Sequence, residues 1–229
     1  MTRFVVLPGL DGTGELLHEF ATALAPLGSV DVLSYATDRA LGYAALCDTL
    51  AAQARIDADC VIVAESFAGP LGIALAARAA QPPRALVLSA SFAVCPLPWL
   101  RRFAPMTHWL PIHQMPRALS NALVLGRWAT PAWSRRLDAA LARVPAVVLR
   151  ARLRAALEVD WRHALQSLTS RVLYLQAGAD RVIPRYAARC IAAVRPDLQR
   201  VRIDAPHFLL QAAPQVAVDA IGRFLDDIA

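Results

Sequence analysis

The stretch Val61-Ile62-Val63-Ala64-Glu65-Ser66-Phe67-Ala68-Gly69-Pro70-Leu71-Gly72 decides how this chain is read. A β-branched run ends at a small residue, passes through a serine, and gives way to an Ala/Leu-rich helical pattern. A buried strand turning sharply into a helix, with a serine at the apex, is how a nucleophile elbow is spelled. The turn strains the serine backbone, so the positions two before and two or three after it must be small. Ala64, Ala68 and Gly69 meet that need, with alanine at the two places most often held by glycine. A serine between strand and helix is also an ordinary N-cap. The reading therefore depends on partners elsewhere in the chain.

Outward from this stretch, strands and helices alternate. An apolar strand is expected at 4–7, then the turn Pro8-Gly9-Leu10-Asp11-Gly12-Thr13-Gly14 and a helix at 15–25. A second strand covers 28–35, a helix 43–55, the third strand 60–64, the helix after the serine 67–80, and the fourth strand 85–91. Further on come a strand at 171–178, a helix at 184–194, a last strand at 200–204 and a closing helix at 214–228. Strands apolar on both faces and alternating with helices imply an α/β fold, a mostly parallel sheet of about six strands covered on both faces. The first turn has the spacing G-x-x-G-x-G, and Asp31 lies inside its strand, so a dinucleotide cradle is not indicated.

Residues 92–157 break this rhythm, with helical patterns, no strand and prolines at 96, 98, 105, 111, 116, 131 and 145. Such a segment is too long for a connection and too apolar for disorder. The expectation is a helical cap, 92–157, inserted into a core formed by 1–91 and 158–229. Trp99, Phe103, Met106 and Trp109 are its candidate substrate-binding residues; the plainer alternative is that they pack the insertion onto the core.

In a parallel sheet, reactive groups collect at the carboxyl ends of strands. Ser66 follows the third strand, Asp180 the fifth and His207 the sixth. A serine hydroxyl needs a neighbouring base to become a nucleophile. His207 is the candidate base and Asp180 the group that orients its ring. Asp204, three residues from His207, and Asp160, in a helical pattern, are the rival acids. Two backbone N–H groups are needed for a developing oxyanion. Phe67, directly after the serine, and Leu10, in the first turn, are their candidates, with Gly9, Gly12 and Gly14 keeping the backbone accessible.

Composition narrows the classes further. The chain has 229 residues, a hydrophobic share of 57% and no apolar run long enough to span a bilayer. Met1-Thr2-Arg3-Phe4 enters a strand pattern directly, and Cys47, Cys60, Cys95 and Cys190 have no motif spacing. The expectation is a cytoplasmic protein with structural thiols and neither metal nor cofactor. All 24 basic residues are arginine, and 92–157 holds ten of them against the single acid Asp138. No nucleic-acid-binding motif accompanies that charge, which leaves an acidic partner or a solvated surface.

With these residues in place, the chain resembles an α/β-hydrolase over nearly its full length. Leu157-Glu158-Val159-Asp160-Trp161-Arg162-His163-Ala164-Leu165 and the strand that follows are similar to small bacterial carboxylesterases, among them the pimeloyl-carrier-protein methyl ester esterases. Leu7-Pro8-Gly9-Leu10-Asp11-Gly12-Thr13-Gly14 resembles esterase/acyltransferases such as the plant phytyl ester synthases. Pro8 stands where many hydrolases have histidine. The resemblance implies cleavage of a carboxylic ester through an acyl-enzyme. The alternatives are acyl transfer or thioester cleavage on carrier-protein- or CoA-linked acyl groups, and a non-catalytic hydrolase-fold binding protein. It also implies a small acyl ester substrate. An acidic acyl carrier protein would meet Arg101, Arg102, Arg117, Arg127, Arg135 and Arg136.

Overall fold

Parallel strands cannot be joined by tight turns, so each connection crosses a face of the sheet and covers it. The computed structural model describes residues 2–228. The strands are β1 (Arg3–Leu7), β2 (Ser29–Val32), β3 (Cys60–Glu65), β4 (Ala85–Ser89), β5 (Arg171–Ala177) and β6 (Gln199–Ile203). They form one six-stranded sheet in the order β2-β1-β3-β4-β5-β6, and every neighbouring pair is parallel. The chain steps outward from β1 to β2, returns past β1 to β3, and then advances the other way. That reversal opens a crevice at the carboxyl ends of β1 and β3. Residues 8–12 and Ser66 follow those two ends.

The α-helices are α1 (His18–Leu24), α2 (Tyr43–Gln53), α3 (Gly69–Arg78), α4 (Arg117–Val124), α5 (Pro131–Ala142), α6 (Ala146–Glu158), α7 (Arg162–Ser167), α8 (Arg185–Val194), α9 (Leu209–Ala212) and α10 (Pro214–Asp226). All six residues of β3 are buried, and their side chains alternate between two apolar layers. Val61 and Val63 pack with residues of α1, α9 and α10. Cys60, Ile62 and Ala64 pack with residues of α2, α3, α7 and α8. This two-sided burial explains why the strand pattern is continuous rather than alternating.

Between β4 and β5 the described residues form helices and turns, with one isolated antiparallel bridge, Val94 to Asp160. The segment Pro98–Trp109 is 3-10 rather than α, with Pro105 inside it, because proline removes a donor and crowds the preceding turn. Elsewhere the differences from expectation are at element ends. The helix expected at 15–25 is α1 flanked by 3-10 turns, Glu15–Leu17 and Ala25–Leu27. The fourth strand stops at Ser89, because Ala90 turns to a φ of 45° and leaves the pleat. Among the described residues no helix is long and apolar enough to cross a membrane.

The alanine two before the serine has a structural answer in α3. A Cβ on Gly72 would lie 2.8 Å from the Ala64 methyl and 3.1 Å from Leu86 Cδ1. The contact between β3 and α3 holds one methyl group, and Ala64 supplies it. Gly72→Ala is expected to lower stability by about 1–3 kcal/mol, despite the roughly 1 kcal/mol by which alanine outranks glycine in a helix interior. Adding Ala64→Gly should return much of that loss in urea denaturation. Strictly additive costs would show that the two positions do not share the space.

Candidate active site

Ser66 leaves β3 with a φ of 50°, a left-handed conformation that few side-chain-bearing residues adopt. The chain then enters the turn Ser66–Ala68 and α3. Glu65 pairs with Ser89 across the β3–β4 ladder, so Ser66 and Ala90, both at positive φ, occupy successive positions on neighbouring strands. The turn at Ala90 brings in Ser91, whose hydroxyl donates to the Ser66 carbonyl oxygen. The Tyr174 hydroxyl donates in turn to the Ser91 carbonyl oxygen at 2.9 Å. The strained turn is thus braced from β4 and β5.

Three strand ends converge here. Ser66 Oγ lies 2.9 Å from His207 Nε2. His207 Nδ1 lies 3.0 Å from Asp180 Oδ2 and 3.1 Å from Oδ1. The Asp180 carboxylate also accepts from the Val182 and Ile183 backbone N–H groups at 2.8 and 2.9 Å, which leaves it little freedom to turn away. Both rival acids are occupied elsewhere. Asp204, with a side chain 76% exposed, pairs with Arg127, and Asp160 pairs with Arg162 at the start of α7. An imidazole with a carboxylate on Nδ1 presents Nε2 as an acceptor to the serine hydroxyl. Among the described residues, no three His, Cys, Asp or Glu side chains gather as metal ligands.

The first turn lies against the serine. A Cβ on Gly9 would sit 3.9 Å from Ser66 Cβ, so Gly9 lies next to the serine. A side chain that the sequence left as one arginine among ten holds this turn. Arg152 of α6 is fully buried, and its guanidinium donates to the carbonyl oxygens of Leu10 at 2.7 Å, Asp11 at 2.8 Å and Ala36 at 2.9 Å. It also lies 5.2 Å from the centroid of the Tyr35 ring, and the Tyr35 hydroxyl donates to the Pro8 carbonyl oxygen. Gly12, at φ 69°, makes this approach possible, since a Cβ there would stand 2.8 Å from an Arg152 guanidinium nitrogen. On the other side, the Tyr43 hydroxyl donates to the Phe67 carbonyl oxygen at 2.9 Å and its ring stacks on Phe67. The signal for Arg152 was a cation in the apolar stripe Val148-Leu149-Arg152, at helical spacing.

Residues 4–220 match the family model described as "Alpha/beta hydrolase family". The chain belongs to the alpha/beta hydrolase family. Solved structures agree in fold. A bromoperoxidase from Bacillus anthracis is similar with a TM-score of 0.83 at 13% identity, covering 98% of this chain and 92% of that one. An enol-lactonase from Burkholderia xenovorans is similar with a TM-score of 0.82 at 16% identity, covering 98% and 91%. An esterase from a Rhodococcus species is similar with a TM-score of 0.74 at 19% identity, covering 100% and 91%. A comparison with curated protein sequences returns no match.

In this alpha/beta hydrolase the four candidate substrate-binding residues of the 92–157 segment face outward. Trp99 and Trp109 are 61% and 69% exposed, and Phe103 and Met106 are also exposed. Contact with the turn beside Ser66 comes instead from Val144, two residues before α6, and from Val148 and Leu149 of α6, which pack with Leu10. The basic surface is smaller than the charge count implies. Arg117, Arg127, Arg136, Arg143 and Arg154 each pair with a carboxylate of the same chain. Arg102 lies over the Phe103 ring. Arg101, Arg102 and Arg135 have no carboxylate partner among the described residues.

Glu65, the residue before the serine, is buried, and Gln211 of α9 donates to its Oε2 at 3.1 Å. Glu65 Oε1 and Gln211 Oε1 have no partner among the described residues. A proton on the carboxyl is the one donor that such a pair can add. Burial accordingly pushes Glu65 up to about 7 from an ordinary 4.5, against the opposing pull of the Gln211 hydrogen bond and of nearby His207; Asp11 adds to the rise. Folded Glu65 keeps its proton through the range in which an unfolded glutamate has lost it. Stability therefore falls as pH rises from 4.5 to about 7, and the full penalty, on the order of 3 kcal/mol, is present above that range. Glu65→Gln should be more stable than wild type at about pH 8 and lose that advantage near pH 4.5. Chemical denaturation at both pH values measures the difference; an equal difference at both would show that Glu65 does not hold the proton.

Proposed function

We propose that this chain is a serine hydrolase that cleaves a carboxylic ester through an acyl-enzyme. The observation that carries the reading is the unbroken run of hydrogen bonds from Asp180 through His207 to Ser66 Oγ, at the apex of a left-handed turn. In the proposed reaction, Ser66 Oγ attacks the acyl carbon while His207 Nε2 takes its proton. Asp180 holds the ring and stabilises the imidazolium that forms. The N–H groups of Leu10 and Phe67 receive the oxyanion. Collapse of the tetrahedral intermediate expels the alcohol, which takes the proton from His207. Water, deprotonated by His207, then attacks the acyl-enzyme; as the acid leaves, the Ser66 oxygen takes that proton back from His207 and the free hydroxyl is restored. The esterase and enol-lactonase similarities support acyl-transfer chemistry of this kind. In this reading residues 92–157 act as a cap over the acyl chain.

Hydrolysis of p-nitrophenyl esters from acetyl to long chains tests the proposal. Ser66→Ala is expected to lower kcat by roughly 10⁴–10⁶-fold with the fold intact, and the best chain length reports the depth under the cap. Activity retained by Ser66→Ala would remove Ser66 as the nucleophile.

The same reading makes Arg152 a positioning residue for the Leu10 amide. Arg152→Met, assayed where it remains folded, should lower kcat by about 10²-fold and leave KM close to that of wild type. A rise in KM with kcat unchanged would assign Arg152 to ground-state binding instead.

A further inference from the structure

Four arginines without a carboxylate partner among the described residues, Arg185, Arg189, Arg200 and Arg202, gather on the far side of β5. Arg185 and Arg189 stand one turn apart on α8, and Arg200 and Arg202 stand two residues apart on β6, so each pair shares a face. Arg200 is opposite Tyr174 and Arg202 opposite Gln176 in the β5–β6 ladder. Tyr174 belongs to the apolar layer that α8 covers, so both pairs lie on the same side of the sheet. Together with Gln176 they line a cavity of about 350 Å³. All four are exposed. Ion pairs with carboxylates engage ten other arginines, from Arg3 to Arg195, and none of these four among the described residues.

The four arginines repel one another. Like charges repel at i,i+4 on a helix and side by side on a strand. Arg185 is moreover the first residue of α8, where the positive end of the helix dipole opposes a cation. Both effects become favourable when a multiply charged anion enters. The planar guanidinium matches phosphate oxygens two at a time, and one phosphate alone would leave part of a four-arginine set unanswered.

We infer that this cavity is a binding site for a small anion carrying a diphosphate group. The volume lies at the small end of the range for small-molecule sites, and the helix and strand place all four arginines along its lining. Gln176 and Arg185 also border a second, smaller cleft lined by Asp180, so the occupant would sit behind the loop that carries Asp180. The inference stands on charge and geometry and does not require Ser66 to be a nucleophile.

Isothermal titration of the full chain with orthophosphate, pyrophosphate and ADP, at one fixed ionic strength, tests it. The expected result is saturable one-to-one binding of pyrophosphate, at least about tenfold tighter than orthophosphate. Arg185→Gln/Arg189→Gln should weaken it by at least about tenfold, while Arg101→Gln/Arg102→Gln should leave it unchanged. Tighter binding of ADP than of pyrophosphate would identify a nucleotide as the source of the diphosphate; equal binding would identify the free diphosphate group. No saturable binding of any of the three would overturn the inference. So would equal binding of all three that the α8 variant does not weaken, since that is diffuse attraction to a basic surface. All four arginines are exposed, and far-UV circular dichroism checks that each variant remains folded.

Discussion

The left-handed backbone at Ser66 is the constraint on which the rest of the site depends. A serine at positive φ projects its hydroxyl clear of both strand and helix, at a conformational cost of order 1–3 kcal/mol. The chain meets that cost with packing on every side. β3 is buried along its whole length, α3 approaches it where Ala64 and Gly72 share the room for a single methyl, and Ser91 and Tyr174 brace the turn through hydrogen bonds. The same interval places a carboxyl group, Glu65, inside the apolar layer immediately before the serine. A neutral, protonated Glu65 is the form that this layer tolerates best.

The second organising contact joins the inserted segment to the sheet. Arg152 is a buried cation whose guanidinium meets backbone carbonyl oxygens rather than a carboxylate. Burying a charge without hydrogen bonds is strongly unfavourable; three carbonyl oxygens and the Tyr35 ring answer the two terminal nitrogens, while Nε has no partner among the described residues. The turn that passes beside Ser66 is consequently held from α6, by Arg152 at its carbonyl oxygens and by Val144, Val148 and Leu149 at the Leu10 side chain. Helix α6 and the first βα turn pack together. Leu10 and Phe67 are thus held by side chains from α6, α2 and Tyr35.

Charge is distributed in a way that composition misrepresents. The 92–157 segment carries nine net positive charges in sequence, with ten arginines against Asp138. Folding brings Glu15, Glu19 and Asp204 from outside that segment onto Arg143, Arg136 and Arg127. The arginines of α8 and β6, unremarked in sequence because acids lie near them along the chain, end up facing one another.

The sequence by itself determined the six parallel strands, the helices between them, and the order in which serine, acid and base follow strand ends. Burial on both faces of a strand, and turns that only small residues permit, are local properties that leave a local trace. It also put Asp180 ahead of Asp204 and Asp160 as the acid. Only the tertiary structure decided that Asp180 reaches His207 while Asp204 turns to Arg127. It alone showed that Trp99 and Trp109 face outward, that Arg152 clamps the Leu10 turn, and that Glu65 meets Gln211. Each of those outcomes depends on which side chains meet across many tens of residues of chain. Periodicity tells a residue which face to bury but not what will be waiting there.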